Sequence, residues 1–319
     1  MQKQIMRVFT FFLILLAAAQ GAIAQAPSSG DSQNQKVVVV TGARFSYALV
    51  QRWIDDFTSL HPEVQIIIES RGSHDPAKYD VLAEVYEQDE KLQTSREYVY
   101  TGRYAILPVA NSSSAFAKTF EKKGLNKSLI QQLFFHDLLA DKSKQEDIKV
   151  PFTVYTRLQK AGVPIVFSKH FGFEQKDISG KSIAGADEHL IKALLRDSTG
   201  ISYLPIPLIY DIKTGYPIQG LAVPPIDIDG NGKVNDDERV YDNLPKLLDA
   251  LESEKSLKSI PVDYLHLSVD RKSASPEAVA FLKWVNENGA KYLHEFGYLL
   301  PGKEVPNGKF TEFASKRNP

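Results

Sequence analysis

The sequence predicts an α/β fold with parallel strands, and three neighbouring segments carry that reading. Val37-Val38-Val39-Val40 is an unbroken β-branched run, the pattern of a strand buried on both faces. After a Thr41-Gly42-Ala43 turn, Phe45, Ala48, Leu49, Trp53, Phe57 and Leu60 recur at helical spacing. Pro62 closes that segment, and Val64-Gln65-Ile66-Ile67-Ile68 is a second buried strand. The order β-α-β implies a right-handed crossover between parallel strands.

Further elements follow in order. Residues 79–86 and 98–109 read as strands, and 125–135 as a short amphipathic helix. Residues 150–155 form a strand, followed by a turn and a helical pattern ending near Gly172. Residues 186–196 are helical, 201–204 are strand-like, and prolines punctuate the chain beyond them. Residues 244–251 read as a helix and 262–269 as a strand. A last long helix opens on Ser275, a capping residue, with Pro276 in its first turn. Its apolar face comprises Ala280, Phe281, Trp284, Val285, Tyr292, Leu293 and Phe296, and Gly289 interrupts it. Neither an internal repeat nor a long linker is visible.

Composition bounds the function. At 319 residues and 43% hydrophobic, the chain can build proper cores, and disorder is excluded. Lys+Arg 38 against Asp+Glu 39 leaves no broad cationic field for nucleic acid or an anionic membrane. With Cys 0, disulfides, thiolate zinc sites and cysteine nucleophiles are excluded.

Residues 1–24 read as a cleaved signal peptide: Lys3 and Arg7 precede an apolar stretch over 8–19, and Ala22-Ile23-Ala24 forms a small-residue cleavage site. Residues 25–35 read as a polar tether. No cysteine follows for lipidation, and no later segment is long and apolar enough to insert in a membrane. The expectation is a soluble, periplasmic, monomeric protein.

The sharpest motif spans residues 227–238, where the twelve positions of an EF-hand calcium loop are filled. Asp227, Asp229 and Asn231 supply side-chain oxygens at positions 1, 3 and 5, and Asn235 stands at position 9. Gly232 takes the sharp turn at position 6, Lys233 offers a carbonyl at position 7, and Glu238 is the twelfth, bidentate ligand. A hard cation needs six or seven converging oxygens, and this spacing delivers them. Val223-Pro224-Pro225 precludes an incoming helix, while a helix through Leu251 is expected to follow. A one-sided loop without a partner hand reads as a structural calcium clip rather than a sensor.

Three turns lie at helix starts: Thr41 to Ser46, Arg71-Gly72-Ser73, and Arg157 to Val163. Backbone N–H groups at such starts carry partial positive charge and can hold an oxyanion, and an arginine adds a bidentate grip. Enzyme constellations are absent: there is no H-E-x-x-H, no G-x-S-x-G and no Walker loop, so catalysis is not expected. Seven histidines are scattered, with His189 read as a surface or core residue. Lys122-Lys123 reads as a solvated face.

In order and spacing, these pieces resemble the phosphate-binding proteins of phosphate ABC transporters, the PstS-like proteins, over roughly residues 36–302. Arg44 to Trp53 looks like that family's first βα turn and helix, and Arg71-Gly72-Ser73 sits where its second ligand loop sits. Residues 100–111 resemble the strand entering the second domain, and 129–134 the short helix after it. Gly200-Ile201-Ser202-Tyr203 is similar to the family's Ile-Gly-Tyr strand, and residues 280–301 to its closing helix and terminal turn. The resemblance implies a type II periplasmic-binding fold, with two α/β lobes, each a mixed, mostly parallel sheet flanked by helices. Lobe 1 would comprise 36–111 and 266–319, and lobe 2 would comprise 112–265.

The resemblance further implies a hinged cleft for phosphate or a related oxyanion, serving uptake through an inner-membrane ABC permease. Its ligand set would be Arg44, Phe45, Ser46, Ser73, Arg157, Ala161 and Gly162. Where the family's arginine loop reads R-x-x-x-S-G-T, this chain has Arg157 with Ala161, Gly162 and Val163, so both hydroxyls are gone. Each lost hydrogen bond to a charged group is worth on the order of 1.5–3 kcal/mol. The family's proton-accepting carboxylate has one counterpart here, Glu84, a position out of register. The alternative reading is a calcium-stabilised envelope interaction or sensor module whose ligand site is degenerate.

Overall fold

The computed structural model describes residues 37–317 apart from 71–74, 87–89, 137–142, 144, 255–256, 303–304 and 306. The expected signal peptide, tether and Ser73 lie outside the described residues.

The predicted β-α-β unit opens the fold. Strand β1 (Val37–Gly42) places Val38 and Val40 in the core. A single 3-10 turn (Arg44–Ser46) leads into α1 (Tyr47–Leu60), which buries Leu49, Val50, Trp53, Ile54 and Phe57. Strand β2 (Gln65–Ile68) then pairs in parallel with β1, and β3 (Val81–Glu84) pairs in parallel on the other side. A short helix, α2 (Glu90–Ser95), precedes β4 (Arg96–Asn111).

β4 is 16 residues long because it serves two half-sheets. Its first part, Arg96 to Ala105, pairs antiparallel with β9 (Val262–Asp270), with a register shift between Tyr100 and Gly102. Beyond that shift, Ile106 to Ala110 pair antiparallel with β7 (Gly200–Pro205). The strand order is therefore β2-β1-β3-β9-β4 in one half and β4-β7-β5-β6 in the other, with β8 (Leu221–Ala222) also on β4. In the second half, β5 (Thr153–Arg157) pairs in parallel with both β7 and β6 (Lys181–Ile183). The chain enters the second lobe along β4 and returns along β9.

Helices cover the sheets: α3 (Ala115–Lys123), α4 (Lys127–Phe134), α5 (Gly162–His170), α6 (Asp187–Arg196), α7 (Leu244–Ser253), α8 (Pro276–Asn288) and α9 (Gly308–Arg317). Ser275 caps α8 as read, its Oγ accepting from Ala278 N at 3.1 Å. Gly289 ends that helix, and two 3-10 turns carry Tyr292, Leu293 and Phe296 into the core. In the second lobe Tyr203 stacks on Phe167, centroids 4.1 Å apart.

The helix expected to follow the loop through Leu251 is present as α7, after a gap. No helix follows the 227–238 loop directly. Its exit is a single 3-10 turn (Asp236–Glu238), because Asn235 and Glu238 cap each other's backbone. α7 starts separately at Leu244, with Asn243 as its cap and Pro245 in its first turn.

Candidate functional site

A cleft of about 550 Å³ lies where the carboxyl ends of four parallel-paired strands face one another. The first lobe contributes Gly42 to Phe45 after β1 and Ala83 to Tyr86 at the end of β3. The second contributes Arg157 and Gln159 to Val163 after β5, and Gly185 to Asp187 with His189 after β6. Open α/β sheets place ligands at carboxyl ends because the helices that follow point their N-termini there.

Those helix starts are open to a ligand. In the turn before α1, the first backbone bond is donated by Ser46 N to Ala43 O (3.0 Å), so the Arg44 and Phe45 amides precede the hydrogen-bonded turn. In α5 it is donated by Ile165 N to Ala161 O (3.2 Å), and Pro164 has no N–H. The Gly162 and Val163 amides are left without an intrahelical partner. Neither start has a side-chain cap.

Of the residues read from sequence, Arg44, Phe45, Arg157, Ala161 and Gly162 meet in this cleft. Arg44 is exposed at its rim. Phe45 is 8% exposed; its ring packs on Tyr104 (5.4 Å) and Tyr298 (6.4 Å), and the Tyr298 hydroxyl donates to its carbonyl. Phe45 thus shapes the turn and offers the cleft backbone rather than a polar side chain. Ser46 is corrected. It is fully buried, it does not line the cleft, and its hydroxyl donates to Ala43 O at 2.7 Å. The hydroxyl stabilises the turn and faces no ligand.

Arg157 is not waiting alone. Its guanidinium donates to the Asp187 carboxylate, both side chains being less than a fifth exposed. The β5–β6 register, Arg157 opposite Ile183, carries the start of α6 to the arginine. Asp187 was not read from the sequence, although Gly185-Ala186 before a predicted helix is a turn of the same kind as the three that were. Tyr86 and Lys160 also line the cleft unforeseen. His189, read as surface or core, is exposed and lines it too. Glu84 is 4% exposed and faces the same space. The cleft therefore mixes Arg44, Arg157 and Lys160 with Glu84 and Asp187.

The two lobes touch across the cleft. A Cβ on Gly162 would stand 2.6 Å from Val85 Cγ2 and 2.7 Å from Tyr86 Cδ1. Only glycine lets the start of α5 approach β3's end this closely.

The structure resembles that of a protein from Clostridium perfringens assigned as a phosphate ABC transporter substrate-binding protein and solved with bound phosphate. The TM-score is 0.60 at 12% identity, covering 84% of this chain and 100% of that one. The chain has the two-lobed type II periplasmic-binding fold. An ABC-type phosphate transport receptor from Vibrio cholerae matches at TM-score 0.56 and 10% identity, over 83% of this chain and all of the other. One neighbour is described as a substrate-binding protein and the other as a transport receptor. No family model matches the sequence, and no curated protein matches it. Among the described residues, no helix is long and apolar enough to cross a membrane.

The 227–238 loop is a second candidate site. Asp227, Asp229 and Glu238 offer carboxylate oxygens that all lie within 4.8 Å of one another. Asp227 accepts from the Asn231 and Gly232 amides (3.0 and 2.8 Å), and Asn231 Oδ1 accepts from Lys233 N (2.9 Å). Glu238 reaches back across the loop, accepting from Ile228 and Asn235 (2.6 and 2.8 Å). Gly232 sits at φ +93°, with open space where a side chain would start. Burial pushes the Asp227 carboxyl up, while the Asn231 amide holds Asp229 down. The loop grips its neighbours: Leu125 N donates to Pro225 O (2.7 Å), and Asp227 N donates to Leu125 O (2.9 Å). Arg239 caps the end of α3 with two bonds to the Glu121 and Lys122 carbonyls, both 2.7 Å.

Proposed function

We propose that this chain is an exported solute-binding protein whose lobes close on phosphate or a related oxyanion. In this reading it is a periplasmic monomer that delivers its ligand to an inner-membrane ABC permease. One observation carries the reading: Arg157 and two open helix starts converge on one cleft at the carboxyl ends of the strands. The Clostridium perfringens neighbour, which holds phosphate, supports the choice of anion.

Each group has a task. Arg157 supplies charge and directional donors, with Asp187 holding its plane. The Gly162, Val163, Arg44 and Phe45 amides donate to the remaining oxygens, and Ser73 is assigned a hydroxyl. The Arg44 side chain adds charge at the rim. Glu84 accepts the proton of a partly protonated oxyanion, which disfavours anions that carry none.

Titration calorimetry with inorganic phosphate, sulfate and phosphate esters tests this. Arg157→Gln should weaken binding about 100-fold, the loss of two charge-assisted hydrogen bonds. Heat silence across the panel, with calcium present, would sink the proposal.

Calcium is the ion proposed for the 227–238 loop, held by Asp227, Asp229, Asn231, the Lys233 carbonyl and Glu238. Bound there, it would screen the clustered carboxylates and lock the loop to the α3–α4 junction. A second reading stays open, a calcium-stabilised envelope interaction or sensor module without a working cleft. It is favoured by the internal Arg157–Asp187 pair and the missing hydroxyls at Ala161 and Val163. Partner capture unaffected by Arg157→Gln would support it.

A further inference from the structure

A second cavity, of about 910 Å³, adjoins the cleft: Tyr86, Arg157 and Lys160 line both spaces. Its walls differ in kind. Leu158, Ile165, Phe173 and Ile178 give them an apolar stretch, bordered by the polar Thr156, Ser168, Gln175 and Ser182 and the charged Lys169, Glu174 and Lys176. Leu158 directly follows Arg157 and is 59% exposed. Its N–H donates to Ile183 O at 2.9 Å, so the backbone holds the side chain at the rim. Phe173 is half-buried and stacks on Phe135, with centroids 4.4 Å apart. An apolar surface is thus continuous with the cationic groups of the cleft.

We infer that the ligand is a phosphate monoester, its phosphoryl group at Arg157 and its organic substituent along Leu158 and Phe173. This rests on the oxyanion reading above and names its substrate class. Two observations meet here. Free phosphate presents four oxygens to be satisfied, and Ala161, Gly162 and Val163 at the start of α5 offer no side-chain hydroxyl. A monoester presents three free oxygens, and its fourth leads to a substituent that needs apolar surface. The adjoining cavity provides that surface beside the same arginine.

The experiment is calorimetry on the mature protein at pH 6 with calcium, using inorganic phosphate and phenyl phosphate as probes. The wild type should bind phenyl phosphate about tenfold or more tighter than inorganic phosphate, as burial of part of an aromatic ring predicts. Leu158→Ser, an exposed substitution checked by its melting temperature, should remove most of that advantage and leave inorganic phosphate unchanged. Arg157→Gln should weaken both probes. If inorganic phosphate binds as tightly as the ester or more tightly, the monoester inference fails and the oxyanion reading survives. The monoester inference also fails, and the oxyanion reading again survives, if Leu158→Ser weakens both probes alike. If neither probe binds, both fall together.

Discussion

His266 gives a pH prediction whose size follows from its surroundings. It lies on β9 with 1% of its surface exposed, opposite Glu84 on β3 and Tyr100 on β4. The rings of Tyr98 and Tyr100 sit 5.2 and 5.4 Å away. Burial lowers its pKa from 6.5 to about 4, and the Tyr264 backbone offsets only part of that. The folded protein thus favours neutral histidine. The associated stability is fully present above pH 6.5 and is lost as pH falls toward 4. At pH 4.5 the unfolded chain holds nearly one proton here and the folded chain about a quarter of one, a loss of about 2.5 kcal/mol relative to pH 7. For a chain of this size that lowers the melting temperature by about 5 °C. Calorimetric melts of wild type and His266→Phe at pH 7 and 4.5 isolate the contribution, because every other titratable group is common to both proteins. The variant should lose about 5 °C less between the two pH values. Equal losses would refute the reasoning, since the histidine would then be accessible enough to protonate while folded.

The other predictions address the two sites. Gly162→Ala places a methyl group within 2.7 Å of Val85 and Tyr86. Overpacking of about 1–3 kcal/mol should weaken ligand binding roughly 5- to 150-fold by opposing closure, and wild-type affinity would show that the lobes need not meet there. Asp227→Ala removes the proposed first oxygen ligand of the loop and the acceptor of two backbone N–H groups. The wild type should gain about 1.4 kcal/mol at calcium ten times its Kd, and the variant nothing; a wild-type melting temperature indifferent to calcium would end the structural-clip proposal.

What was legible in the sequence was what local chemistry writes into it. The Val37–Val40 run marked β1 because a doubly buried strand has no polar face to alternate. Ser275-Pro276 marked the start of α8 because cap and first turn are set by neighbouring residues. α3 escaped notice because it buries only Phe116, Ala117 and Phe120, a short stripe before Lys122 and Lys123, which do remain exposed. α9 is fainter still, with Phe310 and Ala314 as its buried residues. In the cleft, Arg157 and Gly162 stood out through their loop. Asp187 did not, because 30 positions separate it from Arg157 and only the pairing of β5 with β6 joins them. The misreading of Ser46 has the same root: a hydroxyl at a helix start can face a ligand or its own turn, and spacing does not distinguish the two.

On the proposed oxyanion reading, the charge pattern would restrict which anion state enters. With 38 basic and 39 acidic residues, no overall field draws anions in, and Asp187 already balances Arg157. Among the described residues, Arg44 and Lys160 are the remaining Arg and Lys side chains lining the cleft, against Glu84, which is nearly buried. An ionised carboxylate about 4 Å from a second anionic oxygen costs about 4 kcal/mol at an effective dielectric of 20. A proton shared between the two converts that repulsion into a hydrogen bond. Sulfate has no proton to share at neutral pH. A phosphate monoester loses its last proton near pH 6, so only about a tenth of it retains one at pH 7. The same cleft would therefore favour a monoester more strongly at pH 6 than at pH 7. Glu84 would then select the protonation state of the phosphoryl group, while the apolar cavity beside Arg157 selects what that group is attached to.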